Sequence, residues 1–323
     1  MTIFLATNTV AGFDFAQDVI TTTSAAERDT TNGTPSAMQV KRNVGYLQRE
    51  LSTPLNEGWF HAGVYFKVPI DVAVRQMLRF YDSAGQILFG ITRHGNNMYS
   101  NIYTAPTTSV NGPTGTLGGD LFTTLDVNWK IHDTLGFIKI YAGKILISAY
   151  TGDTSHFANG GVSAFRIAEF NPYADGTFSE IIIADQDTRG MKVKTMFGNA
   201  AGANSGFTGG YADVSGFVGP QETTAITSDT AGQISTFGLA DPLASSAAIL
   251  GVFINARGTK GASGPQGVNG VLRTGGVNYH SVDKAFEGIL KSRSFSWDVN
   301  PATGLNWTTA ELTALEAGVR SRP

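Results

Sequence analysis

Phe137-Ile138-Lys139-Ile140-Tyr141-Ala142-Gly143-Lys144-Ile145-Leu146-Ile147-Ser148-Ala149-Tyr150 is the stretch that decides the fold. Apolar residues alternate from Phe137 to Tyr141, which is the period of a strand. Ala142-Gly143 fits a two-residue turn, because Gly143 tolerates the positive φ that such turns require. A turn there sets Tyr141 against Lys144, Ile140 against Ile145 and Ile138 against Ile147. One face then carries Ile138, Ile140, Ile145, Ile147 and Ala149 and is expected to be buried, while Lys139 and Lys144 are expected to be exposed. A sheet with one apolar face must pack on a second sheet. The expected class is therefore all-β, a β-sandwich with this hairpin at its centre.

Other segments take their places against that hairpin. From Trp59 to Val68, the residues Phe60, Ala62, Val64, Phe66 and Val68 give one face an unbroken apolar set, and Pro69 ends the strand. Residues 77–81 and 86–91 flank Asp82-Ser83-Ala84-Gly85, a second hairpin. Ile3 and Leu5 are expected to point inward from a first strand. Residues 127–133, 164–170 and 180–185 read as further strands, and 104–120, rich in Gly, Pro and Thr, as a long loop. The run of Gly, Ala, Asn and Ser at 198–210 reads as a junction. Beyond it, 247–257 and 270–273 read as strands joined through a glycine-rich turn, and Phe295-Ser296-Trp297 as the last strand. Only the tail reads as helix. Thr308 and Glu311 fit a capping box, Leu312, Leu315 and Val319 lie near one face, and Gly318 is the expected stop. The expected organisation is a sandwich over 1–197 and a smaller β unit over 198–323 that carries the terminal helix.

Composition narrows the function classes. The 41% hydrophobic and 15% charged content belongs to a folded chain with an uncharged surface. A net charge of −3 supplies no electrostatic footprint for nucleic acid. With no cysteine, disulfides and thiolate metal sites are excluded. Met1-Thr2-Ile3-Phe4-Leu5 lacks a basic leader region, so no signal peptide is expected. No apolar run approaches the roughly 20 residues that span a bilayer, so no membrane insertion is expected.

Two resemblances follow from these segments. The Trp-led strand at Trp59, then LRFYDSAGQILFGI (residues 78–91), then NWKIHDTLGFIKIYAGKILIS (residues 128–148) resembles in order and turn placement the laminin-G/concanavalin A-like jelly rolls, over about half of the chain. The tail WDVNPATGLNWTTAELTALEAG (residues 297–318) resembles the C-terminal signature of structural proteins in tailed-phage virions, in which a Pro-x-Thr-Gly turn precedes Trp-Thr and a short helix ending in Gly. Trp297, Asn300, Pro301, Thr303, Gly304, Trp307, Thr308, Glu311, Leu315 and Gly318 carry that match, and SEIIIADQDTRGMKVKT (residues 179–195) fits the same group. The resemblance implies a virion fibre, spike or capsid-surface appendage, assembled in the host cytoplasm and contacting other virion proteins. A low-charge surface rich in Gly, Thr and Ser suits self-contact, so a homo-oligomer is expected, a trimer first and a pentamer second. The alternative is a glycan-binding, lectin-like module; a glycan-degrading enzyme on the same fold ranks third.

Candidate sites are sparse. Tyr99, Tyr103, Tyr150, Tyr173 and Tyr211 lie near expected loops, where aromatic faces suit sugar stacking or protein contact. Asp153, Asp185 and Asp187 offer oxygens to a calcium ion, but turn chemistry is the preferred reading and no metal is expected. His61, His94, His132, His156 and His280 show no metal-binding spacing. Glycine at every third place from Gly258 to Gly270 matches collagen triplets, but neighbouring strands would stop a triple helix from propagating, so a hairpin loop is the preferred reading. Glycosidases of the jelly-roll class use an E-x-D-x-x-E strand, which is missing here, as are G-x-S-x-G and a phosphate-binding loop. No catalytic residue and no cofactor is expected.

Overall fold

The computed structural model describes residues 1–22, 24–29, 36–41, 44–66, 75–118, 121–156, 160–168, 176–214, 224–240 and 248–323. The chain divides into two compact units, Met1–Val193 and Lys194–Pro323. It is all-β, built from antiparallel sheets, with one short helix near the C-terminus. Among the described residues no helix is long and apolar enough to cross a membrane.

The first unit runs β1 (Ile3–Thr7), β2 (Phe15–Gln17), β3 (Val19–Thr22), β4 (Ala37–Val40), β5 (Tyr46–Leu55), β6 (Glu57–Phe66), β7 (Arg75–Tyr81) and β8 (Ile87–His94). It continues with β9 (Asn97–Ala105), β10 (Thr108–Asn111), β11 (Gly115–Thr116), β12 (Thr123–Lys130), β13 (Phe137–Ala142), β14 (Ile145–Thr151), β15 (Val162–Ala168) and β16 (Gly176–Ala184). These strands form two sheets. The first has the order β14-β13-β12-β6-β16-β4-β3, with β1 on β16, and the second has β10-β9-β8-β7-β15-β5-β2, with β11 on β9.

The two sheets meet through aromatic rings. Phe60 and Trp129 of the first sheet meet Phe80, Phe89 and Phe165 of the second. Phe80 stacks on Phe89 at 4.4 Å, and its ring lies 5.3 Å from Trp129 and 6.0 Å from Phe60. The expected apolar set of β6 is buried from Phe60 to Phe66, and Val68 lies outside the described residues. The second hairpin is also as expected: Asp82 Oδ1 accepts hydrogen bonds from the N–H groups of Ala84 and Gln86, and Gly85 takes φ +77°. Part of the expected loop at 104–120 is instead β10 and β11, both paired to β9.

The β13–β14 hairpin differs from expectation in place and in register. It lies at the edge of its sheet, whose middle is held by β6 and β16. Its turn is Gly143-Lys144, with φ +53° and +77°, so Ala142 opposes Ile145 and Tyr141 opposes Leu146. Both turn residues have positive φ, as a type I′ turn requires. Holding Lys144 there costs about 1 kcal/mol. A bulge then takes up Ile147, so Ile140 opposes Ser148 and Ile138 opposes Tyr150. Ile138 and Ile140 are buried as expected, but Ile145 is 70% exposed and Ile147 half-buried. Lys144 is exposed, whereas Lys139 is half-buried with its ammonium 4.5 Å from the centre of the Phe137 ring.

The second unit comprises β17 (Gly198–Ser205), β18 (Ile234–Leu239), β19 (Val252–Gly258), β20 (Gly267–Thr274), β21 (Val277–His280), β22 (Lys284–Ala285), β23 (Lys291–Trp297), α1 (Thr309–Thr313) and β24 (Glu316–Arg322). Six strands form one sheet, β17-β18-β24-β20-β21 with β22 on β20, and β19 pairs with β23. Most of the run expected as a junction, Gly198–Ser205, is thus an edge strand. The Gly258–Gly270 segment is not a hairpin loop, because β19 and β20 belong to different sheets. The helix stops after five residues, and Gly318 sits inside β24, not at a helix end. A Cβ on Gly318 would lie 1.9 Å from the Ser235 carbonyl oxygen of β18, so close strand approach explains this glycine.

The hairpin geometry separates two isoleucines that the sequence pattern treats alike. Ile140→Ala is expected to cost about 2–5 kcal/mol through the cavity it leaves. Ile145→Ala is expected to cost less than about 0.5 kcal/mol. Urea unfolding of both variants checks this, and equal losses would restore the simpler register.

Candidate functional site

The residues singled out from the sequence fall into separate places. Asp153 Oδ1 accepts from the Ser155 N–H and hydroxyl, and Oδ2 lies 3.0 Å from His156 Nδ1. Asp185 Oδ1 accepts from the Thr2 N–H at 2.8 Å. Asp187 takes both Nε and Nη2 of Arg189, and that hydrogen-bonded guanidinium holds its carboxyl below the usual range. These are turn and ion-pair roles. No group of three or more metal-ligating side chains occurs among the described residues.

The tail residues form one hydrogen-bonded corner. Asn300 O accepts from the N–H groups of Thr303 and Gly304, and Gly304 takes φ +70°. Asn300 Nδ2 donates to Glu311 Oε1 at 2.7 Å. Glu311 Oε2 accepts from the Thr308 N–H, completing the capping box. Backbone and hydroxyl donors of Thr308 keep the Glu311 carboxyl below its ordinary range. Trp307 Nε1 donates to Trp297 O at 3.0 Å, and both indoles enter a core with Val252, Leu272, Phe295 and Leu312. Pro301 lies within the turn between the two tryptophans. This corner fastens the unit together.

The outer face of the first sheet carries a polar cluster that sequence reading missed. His61 projects opposite to Phe60 and Ala62, and its Nδ1 lies 2.8 Å from Asp126 Oδ1. Thr188 Oγ1 donates to the same oxygen at 2.8 Å. Thr188 belongs to the segment after β16, which crosses this face and covers both residues completely. Glu180 sits beside them at a bulge with φ +51°, and its Oε2 meets Lys192 Nζ at 3.2 Å. His61 Nε2, Asp126 Oδ2, Ser179 Oγ and Glu180 Oε1 are buried without a protein hydrogen-bond partner. Ser179, His61 and Asp126 are the residue types of a serine hydrolase. No hydrogen bond joins Ser179 to His61, and all three side chains are buried. Near the same crossing, Trp59 and Tyr141 stack at 5.6 Å, with the Arg189 guanidinium 4.5 Å from the Tyr141 ring centre.

The outer face of the second sheet is differently furnished, with polar side chains that are half-buried at Gln48, Arg79 and Arg166 and buried at Thr92 and Asn101. Strand register places Gln48, Arg166, Arg79, Gly90, Asn101 and Asn111 in one row across β5, β15, β7, β8, β9 and β10. Arg166 Nε and Nη2 donate to Gln48 Oε1, and its guanidinium lies 4.8 Å from the Tyr46 ring centre and 5.8 Å from that of Tyr81. Arg79 Nε and the Tyr103 hydroxyl both donate to Gln76 Oε1, at 2.8 and 3.1 Å. A Cβ on Gly90 would lie 2.0 Å from Gln76 Nε2, so this glycine makes the seat for the Gln76 amide. Asn101 bridges the Thr92 hydroxyl and Asn111 Oδ1. Tyr99 and Tyr103 belong to this face, half-buried, and burial raises the Tyr99 hydroxyl pKa. Tyr150 lies on the edge strand of the other sheet with its hydroxyl on Asp153 O, Tyr211 is exposed in the second unit, and Tyr173 lies outside the described residues. The arginines were missed, although each interrupts apolar neighbours, Leu78-Arg79-Phe80 and Phe165-Arg166-Ile167; Gln48 and Gln76 stand beside Arg49 and Arg75 and carry no such signal.

Burial raises the Glu180 pKa, and Lys192 opposes that rise in part. A carboxyl whose folded pKa exceeds its unfolded value contributes stability that is complete below about pH 4 and is lost as pH rises through the folded value. Glu180→Gln removes the titration, while Lys192 keeps Asp29 at 2.6 Å. The Tm of the wild type relative to Glu180→Gln is expected to fall between pH 4 and 7. A flat difference in melting scans across that range would contradict the assignment.

No protein-family model and no curated protein matches the chain. Among solved structures it is similar to a carbohydrate esterase from Shiga toxin-encoding bacteriophage phi24B, at 9% identity, 57% of this chain, 99% of that chain and a TM-score of 0.43. It is also similar to an alginate lyase from Chlorella virus, at 10% identity, 57% and 100% coverage and a TM-score of 0.43. A third likeness is to carbohydrate-binding module CBM66 from Bacillus subtilis, at 10% identity, 52% and 96% coverage and a TM-score of 0.32.

Proposed function

We propose that this chain is a non-catalytic adhesive component of a tailed-phage particle, and that its outer second-sheet face engages a glycan. The supporting observation is the row Gln48–Arg166–Arg79–Gly90–Asn101–Asn111, with Tyr46, Tyr81, Tyr99 and Tyr103 beside it. Amides and guanidiniums offer paired donors and acceptors to sugar hydroxyls. Tyrosine rings offer apolar faces to sugar C–H groups. The side chains hold one another in place, so little rotamer entropy is lost on binding. Five strand-to-strand steps of about 4.8 Å make the row about 24 Å long, which suits an extended oligosaccharide. The particle setting rests on the tail signature, and the low charge of the surface is compatible with a ring of copies, three first and five second.

Glycan-array binding by the full chain tests the adhesive role. Gly90→Ala is the informative variant, because its new methyl displaces the Gln76 amide while removing no polar group. Binding is expected to weaken at least about fivefold with folding intact, consistent with one or two lost hydrogen bonds. Unchanged binding would move the site off this face. Sedimentation tests the ring, and a monomer at micromolar concentration would count against it.

A further inference from the structure

We propose that Arg320, with Arg322, His280 and Asn269, forms a ligand site on the outer face of the second unit's sheet, for a sugar that carries a carboxylate or phosphate. The site is built by strand register. Asn269 of β20 opposes Arg320 of β24, and Arg322 follows two residues on, so all three point to one side of the sheet. His280 of β21 opposes Val271, which puts it on the same side. The alternate residues Val268, Leu272 and Val319 face the other way, into the core of the unit.

Charge on the outer side is unbalanced. The segment after β21 brings in Asp283, whose Oδ1 accepts from Asn269 Nδ2 at 2.8 Å and whose Oδ2 accepts from Arg322 Nε at 2.7 Å. Glu316, further along β24 on the same side, is engaged by the Thr236 hydroxyl, the Ala203 N–H and Arg273. Among the described residues no carboxylate pairs with Arg320, and its Nε is buried without an acceptor. Asn269 is 3% exposed, and its Oδ1 is buried without a donor. Burial and the two arginines hold the His280 imidazole below its ordinary pKa, against the opposing pull of Asp283.

An unpaired guanidinium nitrogen and an unpaired amide oxygen on facing residues cost stability unless something satisfies both. An oxyanion supplies the acceptor that Arg320 lacks, through charge-assisted hydrogen bonds. A neighbouring hydroxyl supplies the donor that Asn269 lacks. A fully ionised inorganic anion brings no such donor, whereas a sugar acid or sugar phosphate brings both groups. Arg320 is half-buried, and the exposed His280 and Asp283 mark the side from which the ligand enters. The site belongs to the second unit alone and stands independently of the row on the first.

The test titrates the full chain with galacturonate, glucose 6-phosphate, galactose and inorganic sulfate, followed by NMR. The wild type is expected to bind galacturonate or glucose 6-phosphate at least about tenfold more tightly than galactose or sulfate, and the first two arms separate a carboxylate from a phosphate preference. Saturation with whichever of those two binds is expected to raise the His280 pKa by about one unit, because a nearby anion favours the imidazolium. His280→Gln identifies the resonance. Arg320→Gln is expected to lose about tenfold, while Lys260→Gln, exposed elsewhere in the second unit, is expected to match the wild type. Melting scans establish that each variant is folded. Where Arg320→Gln fails to fold, Arg320→Lys takes its place, because it keeps the charge and loses the planar fork. Galactose or sulfate binding as tightly as the charged sugars, no binding of either charged sugar, binding undiminished by the Arg320 substitution, or an unmoved His280 pKa would each overturn the site.

Discussion

The contact on which the first unit depends is the aromatic seam between its sheets. Phe80 lies at its hub, within ring-contact distance of Phe60, Phe89, Trp129 and Phe165. These rings fix more than the separation of the layers. Phe165, Phe80, Phe89 and Ile102 are successive cross-strand partners on the inner face of the second sheet. Side chains alternate along a strand, so the adjacent outer row is set at the same time. Arg166, Arg79, Gly90 and Asn101 stand in line because the residues next to them do.

The two outer faces have opposite fates. On the first sheet, the segment after β16 closes over His61 and Asp126, with Thr188 as its anchor and Asn8 tying its end through Val193 O. Buried polar atoms left without partners there cost stability, and only the surrounding packing offsets that cost. On the second sheet Gln48, Arg79 and Arg166 are half-buried and Asn111 is exposed, while Thr92 and Asn101 are buried, and these side chains brace one another.

How far the sequence could be read follows from the range of each interaction. The apolar set Phe60-Ala62-Val64-Phe66, the Asp82–Gly85 turn and the Thr308–Glu311 cap are local, and each is legible from a few residues. The β13–β14 register was not, because Ala142-Gly143 and Gly143-Lys144 are both admissible turns and the bulge at Ile147 has no signal of its own. The tail was misread past Thr313 because Gly318 serves a contact with Ser235, more than eighty residues away in sequence. The outer row of the second sheet is assembled from residues 48, 79, 90, 101, 111 and 166, and only strand pairing brings them together. Of the tyrosines named from sequence, Tyr99 and Tyr103 lie on that face, and the arginines beside them became visible only with the sheet order.

The position of β24 bears on how the second unit comes into being. Glu316–Arg322 fills the slot between β18 and β20, pairing with both. Until that segment has been synthesised, β18 and β20 each lack a neighbour and present bare edges, the kind of surface that recruits strands from other chains. Sheet closure therefore waits on a contact of long sequence separation, which slows the search for the native pairing. In a cell making many copies at once, this interval is when one nascent chain can be mistaken for the missing strand of another.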